Sequence, residues 1–120
     1  MLVLVSSAIE AATGASLIAV PVLVGRLLLG VELPGSGIAV TKVAGFALLS
    51  LAIACWPHGD DAAAAAIRAL LAYNLLAALY FAYLGSSGAF FSYLLWPACA
   101  LHGLLALLLV LPAYNSLRSG

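Results

Sequence analysis

Twenty-three consecutive residues, Ala89 to Leu111 (AFFSYLLWPACALHGLLALLLVL), contain no formally charged side chain. A helix of that length spans about 34 Å at 1.5 Å per residue, enough to cross a hydrocarbon core of about 30 Å. Three more apolar segments precede it, about Val5 to Leu29, Ile38 to Trp56 and Ala62 to Leu84. Hydrophobic residues make up 67% of the chain and charged ones 7%, where soluble domains carry roughly 25% charged residues. No soluble core built from 120 residues could enclose so much apolar surface. Inside a bilayer each backbone N–H and C=O must be satisfied within its own segment. The four segments are therefore read as transmembrane helices of an all-α integral membrane protein, a single domain over residues 1–120.

The connections carry turn chemistry. Gly30 to Gly37 collects glycines around Pro34, and Trp56 to Asp61 holds Pro57 to stop one helix and an aspartate to cap the next. Gly85 to Gly88 is short and uncharged. Loops this short force antiparallel neighbours, so the expected architecture is an up-down-up-down four-helix bundle of two helical hairpins. Equal spacing from Gly30 to Pro57 and from Gly85 to Pro112 gives a weak internal echo of one hairpin in the other. Both termini and the second loop then share one side of the membrane. Arg68 and Arg118 lie toward it, Arg26 and Lys42 toward the opposite side, so the positive-inside rule gives a tie. Cytoplasmic termini in the cell membrane are the working expectation. Trp56 near one surface, and Phe90, Phe91 and Tyr93 near the other, suit interfacial aromatic anchors.

Four basic residues balance four acidic ones. Without a basic patch to neutralise phosphates, nucleic acid is excluded as a partner, and no polybasic lipid-binding segment is present. The expected surroundings are the lipid bilayer and other membrane chains, either copies of this one or further subunits. The first residues, MLVLVSSAIEAATGAS, lack a basic region and are interrupted by Ser6 and Glu10, so they read as mature sequence. Cys55 and Cys99 fall at different depths, beyond the roughly 7 Å that a disulfide allows, and read as free thiols.

Polar residues within the spans are the candidates for chemistry, because an ionised group facing lipid costs roughly 3 kcal/mol or more at a helix centre. Counted from the terminus side, Glu10 lies about 8 Å deep, Arg68 about 9 Å, His102 about 13 Å and Asn74 about 18 Å. Glu10 and Arg68 match in depth and oppose in charge, which suggests an interhelical ion pair; snorkelling of both toward the headgroups is the alternative. His102 is too deep to snorkel. It can donate to a neighbouring backbone carbonyl, relay a proton, or contact a bound ligand. No second deep histidine and no HxxxH or CxxC spacing accompanies it, so no haem, metal or other cofactor is expected.

Two stripes of small or polar residues recur at helical spacing: Glu10, Gly14, Leu17, Pro21, Gly25, and Ser92, Trp96, Cys99, Gly103, Ala106. Such faces suit close helix contact or a cavity. Pro21 and Pro97 are expected to kink their helices at equal depth, opening a pocket between the first and fourth spans, unless neighbours absorb the freed carbonyls. Arg26 and Lys42, with Glu32 between them, are read as interfacial anchors. Tyr73 and Tyr80, with Tyr83 and Phe81 nearby, make the third span aromatic, and the seven-residue spacing of Tyr73 and Tyr80 suits a packing seam.

The sequence shows no nucleophile elbow, phosphate loop or dinucleotide fingerprint, so a non-enzymatic role is expected. The leading expectation is an oligomeric or accessory membrane subunit with a buried polar cluster. The second is a proton-coupled transporter of a small cationic or lipophilic molecule using Glu10, and the third a haem or quinone redox subunit. In size, four crossings and a lone carboxylate in the first helix, the chain resembles the small multidrug resistance transporters. The string Ala8-Ile9-Glu10-Ala11-Ala12-Thr13-Gly14 is distantly similar to that family's Ala-Glu-x-x-Gly neighbourhood, over about a tenth of the chain. The spacing differs, Arg26, Arg68 and His102 fall outside the pattern, and the third span lacks the family's tryptophan. The likeness is an analogy of outline, and it would imply an exchangeable proton on Glu10.

Overall fold

The computed structural model describes residues 1–57, 63–88, 90 and 92–118. These residues form five helices and no strand: α1 (Leu2–Ala19), α2 (Pro21–Leu29), α3 (Gly35–Ala54), α4 (Ala63–Ser86) and α5 (Leu95–Arg118). Four of them, α1, α3, α4 and α5, are long and apolar enough to cross a membrane, compatible with a multi-pass membrane protein. His58, Asp60, Asp61 and Phe91, and with them the expected aspartate cap, lie outside the described residues.

The fifth helix comes from a break in the first apolar segment. Expected as one helix over 5–29, it divides at Val20, whose backbone leaves the helical region at φ −135° and ψ 54°. Pro21 then opens α2, a position where a missing N–H costs nothing. Gly30 closes α2 in the left-handed conformation, φ 71°, with its N–H bonded to the Arg26 carbonyl at 3.0 Å.

The last segment is displaced from its expected bounds of 89–111. Because α5 starts at Leu95, Pro97 lies in its first turn, where the backbone N–H would have no partner within the helix. The expected kink at Pro97 is therefore absent. The helix instead runs through Pro112 to Arg118. The echo between hairpins fails for the same reason: Pro57 follows α3, whereas Pro112 is inside α5.

Small residues determine which helices come close. On α1, a Cβ added to Gly14 would meet the Gly45 carbonyl oxygen at 2.8 Å and the Leu49 nitrogen at 3.0 Å, so α1 and α3 touch backbone to backbone. On α5, the Cys99 thiol reaches the Ala78 carbonyl at 3.4 Å, and a Cβ on Gly85 of α4 would strike the Trp96 ring at 2.8 Å. The chain thus forms two close pairs, α1 with α3 and α4 with α5, which are joined more sparsely to each other. Cys55, Ala66, Leu70 and Leu109 form one apolar junction between the pairs. A second junction ties α2 to the approach to α5, where the Leu94 N–H and the Ser92 hydroxyl both donate to the Leu27 carbonyl.

Burial differs from that of a soluble protein, although an apolar core that includes Leu70 and Leu109 remains. Val40, Leu76, Leu107 and Leu111 are each about two-thirds or more exposed, while Ser6, Ser7, Glu10, Asn74 and His102 are buried. Polar side chains inside and leucines outside is the distribution that hydrocarbon selects.

Candidate intramembrane binding site

Asn74 sits on the inward face of α4, one helical turn beyond Leu70 and two beyond Ala66, all three of them buried. Its amide nitrogen donates to the Leu70 carbonyl at 2.9 Å and to the Ser6 hydroxyl of α1 at 3.3 Å. Its carbonyl oxygen lies 2.7 Å from Nδ1 of His102 on α5. One amide therefore links three helices. Both of its donor hydrogens are committed to oxygens, so the amide oxygen must accept and His102 Nδ1 must donate. Nearby, the Ser7 hydroxyl donates to the Cys55 carbonyl at 3.2 Å, satisfying a group freed at the end of α3.

The His102 ring is held by aromatic neighbours. Tyr73 meets it edge-on with centroids 5.7 Å apart, and Phe81 lies tilted at the same distance. Beside them Glu10 is wholly enclosed, 0% exposed, and neither carboxylate oxygen has a hydrogen bond. Among the described residues the Tyr73, Asn74 and Cys55 side chains lie near it.

Arg68 does not join this cluster. It lies two residues on from Ala66, about 200° around the helix from the inward face, and it is exposed. The expected Glu10–Arg68 pair is not formed; the ion pair present among the described residues is Arg26 with Glu32. Both partners of that pair are exposed, as is Lys42, so Arg26 and Lys42 lie on the surface away from the buried cluster. Pro21 is buried at the start of α2.

Between the two helical pairs lies a cavity of about 390 Å³. Most of its wall is aliphatic, including Leu17, Val24 and Leu48, with Pro97 and Ala98 contributed by the first turn of α5. Its polar fringe consists of Thr13, Tyr73 and His102, and no charged side chain lines it. Glu10 is outside the lining, on the turn of α1 between Ile9 and Thr13 that does line it. Of the sequence candidates the structure thus brings together Glu10, Asn74 and His102, and leaves Arg68, Arg26 and Lys42 at the surface.

Ser6 is a member of the cluster that the sequence reading did not single out. It precedes Glu10 by four residues, so extending the polar stripe one turn back would have found it. Tyr73, read with Tyr80 as a packing seam, and Phe81 also frame His102. Among the described residues no three His, Cys, Asp or Glu side chains converge to hold a metal ion. The chain matches no protein-family model, no curated protein and no solved structure.

Proposed function

We propose that this protein is a non-enzymatic, multi-pass protein of the cell membrane that binds a lipophilic small molecule between its two helical pairs. The observation that carries the reading is the cavity of about 390 Å³, aliphatic on most sides with a fixed imidazole at its edge. That size falls within the range of about 300 to 1,000 Å³ typical of ligand sites, and apolar walls with a few placed polar groups are their usual chemistry. Of the roles raised by the sequence, an accessory bundle, a small-molecule transporter and a haem or quinone redox subunit, the cavity favours those that handle a small molecule.

The helices are taken to run up-down-up-down, with both termini on the cytoplasmic side. Reversed register supports the alternation: Ser7 meets Cys55 while Gly14 meets Gly45, and Ala78 meets Cys99 while Gly85 meets Trp96.

The test is mass spectrometry of the full chain extracted from its own membranes. A lipophilic molecule is expected at near one copy per chain, and Ala98→Trp, which fills the cavity from its wall, is expected to displace it. Bulk lipid alone, in equal amounts in both proteins, would overturn the reading.

The enclosed, unbonded carboxylate of Glu10 favours a second reading, in which occupancy of the cavity is linked to a proton on Glu10. Proton release on ligand binding, lost in Glu10→Gln while the protein stays folded, is the expected sign. Binding with no proton exchanged would contradict it.

A further inference from the structure

The hydrogen-bonding groups at the cavity wall restrict the class of molecule that fits, on the premise that the cavity is a ligand site. We propose that the ligand is a neutral lipophilic alcohol or phenol whose hydroxyl donates a hydrogen bond to His102 Nε2.

The assignment follows from where the existing hydrogens are spent. Asn74 gives its two N–H groups to Leu70 and Ser6, which leaves its oxygen to accept from His102 Nδ1. A neutral imidazole carries one N–H; with that hydrogen on Nδ1, Nε2 is an acceptor. Among the described residues Nε2 has no partner, and it is not enclosed, because the buried side-chain nitrogens and oxygens lacking partners there are the two of Glu10. The ring lines the cavity, so its free nitrogen is the acceptor offered there.

Thr13 offers the same polarity. Its hydroxyl hydrogen is donated to the Ile9 carbonyl at 2.9 Å, so toward the cavity it too presents an acceptor. The third polar group, the Tyr73 hydroxyl, lies near the Glu10 carboxylate and forms no hydrogen bond with it.

His102 and Thr13 therefore both seek a donor. A ketone, quinone or ether would set lone pair against lone pair at His102. An ammonium group could donate, but no charged side chain lines the cavity to compensate it. A neutral O–H fits both requirements. For scale, an apolar cavity of about 150 Å³ admits benzene, so about 390 Å³ leaves room for fused rings.

The experiment compares 1-tetralol with 1-tetralone, two bicyclic molecules that differ by a hydroxyl in place of a carbonyl. Binding to the full chain in lipid nanodiscs is measured by equilibrium dialysis, with partition into protein-free nanodiscs subtracted. The alcohol is expected to bind saturably, about fivefold or more tighter than the ketone, the ratio one net hydrogen bond supplies. In His102→Phe, which keeps a ring in place, the preference is expected to fall to near unity. Equal affinities in the unaltered protein, or tighter binding of the ketone, would overturn the donor assignment while leaving the cavity as a binding site. Saturable binding of neither would overturn the site itself.

Discussion

Asn74→Leu is expected to destabilise the protein by roughly 3 kcal/mol, more than any other exchange of a single polar side chain in the described bundle. Leucine keeps the branched outline and heavy-atom count of asparagine, so the loss is chiefly of hydrogen bonds. Removing the amide strips partners from His102 Nδ1, the Ser6 hydroxyl and the Leu70 carbonyl at one stroke. Each buried polar group left unsatisfied costs about 1 to 3 kcal/mol, and networks lose more than the sum of their pairs. Some of that cost is recovered if side chains rotate, hence a figure near the top of the range for one group and not the sum over three. Ser6→Ala removes one 3.3 Å bond and should cost about 1 kcal/mol or less. Thermal melting in detergent, followed by circular dichroism, measures both. Equal small shifts would mean that the amide does not tie the helices together.

Gly14→Leu is expected to be at least as damaging, through sterics. The first atom added would fall 2.8 Å from the Gly45 carbonyl oxygen and 3.0 Å from the Leu49 nitrogen, and both are backbone atoms that cannot rotate aside. Accommodating even a methyl group requires α1 and α3 to move apart, and overpacking of this kind costs about 1 to 3 kcal/mol. Leucine adds three further carbons at the same point, so failure to fold is the expected outcome for Gly14→Leu and a clear loss of stability for Gly14→Ala. Gly103→Ala is the control: its Cβ would meet only the Ala78 methyl at 4.0 Å. A helix interior favours alanine over glycine by roughly 1 kcal/mol, so Gly103→Ala should hold or raise the melting temperature. Similar losses at both positions would contradict the close approach of α1 and α3.

These two positions also show how much of the molecule was legible in the sequence. Long uncharged runs make a strong signal because hydrocarbon tolerates no other composition, and four spans follow from them directly. The stripe through Glu10 and Gly14 was legible too, since helical periodicity places such residues on one face, and both are buried. Helix ends were not. The pattern stays apolar across Val20, so nothing but Pro21 marks the break between α1 and α2, and Pro112 looks like a stop although α5 continues past it to Arg118. That error carried into the depths. Counted from Leu111, His102 comes out shallower than Asn74, yet the two are hydrogen-bonded at 2.7 Å. Charge complementarity misled at Arg68, because matching depth and opposite sign ignore the angle around the helix. Which face of α4 turned inward was set by Ala66, Leu70 and Asn74 together. A pocket between the first and fourth spans is expected from kinks at Pro21 and Pro97; Pro97 does contribute to the cavity wall, but from the first turn of α5, and the space depends on how the two helical pairs separate.

The central claim, that a lipophilic molecule resides between those pairs, is tested most directly by locating a heavy-atom probe. Crystals of the full chain grown in a lipid phase would be equilibrated with 1-bromonaphthalene and the anomalous signal of bromine recorded. The account predicts a bromine peak inside the cavity bounded by Thr13, Phe81, Leu94 and His102, absent in Ala98→Trp crystals. Bromine found only on the outer, lipid-facing surfaces of the helices, with the space between the pairs closed, would contradict it.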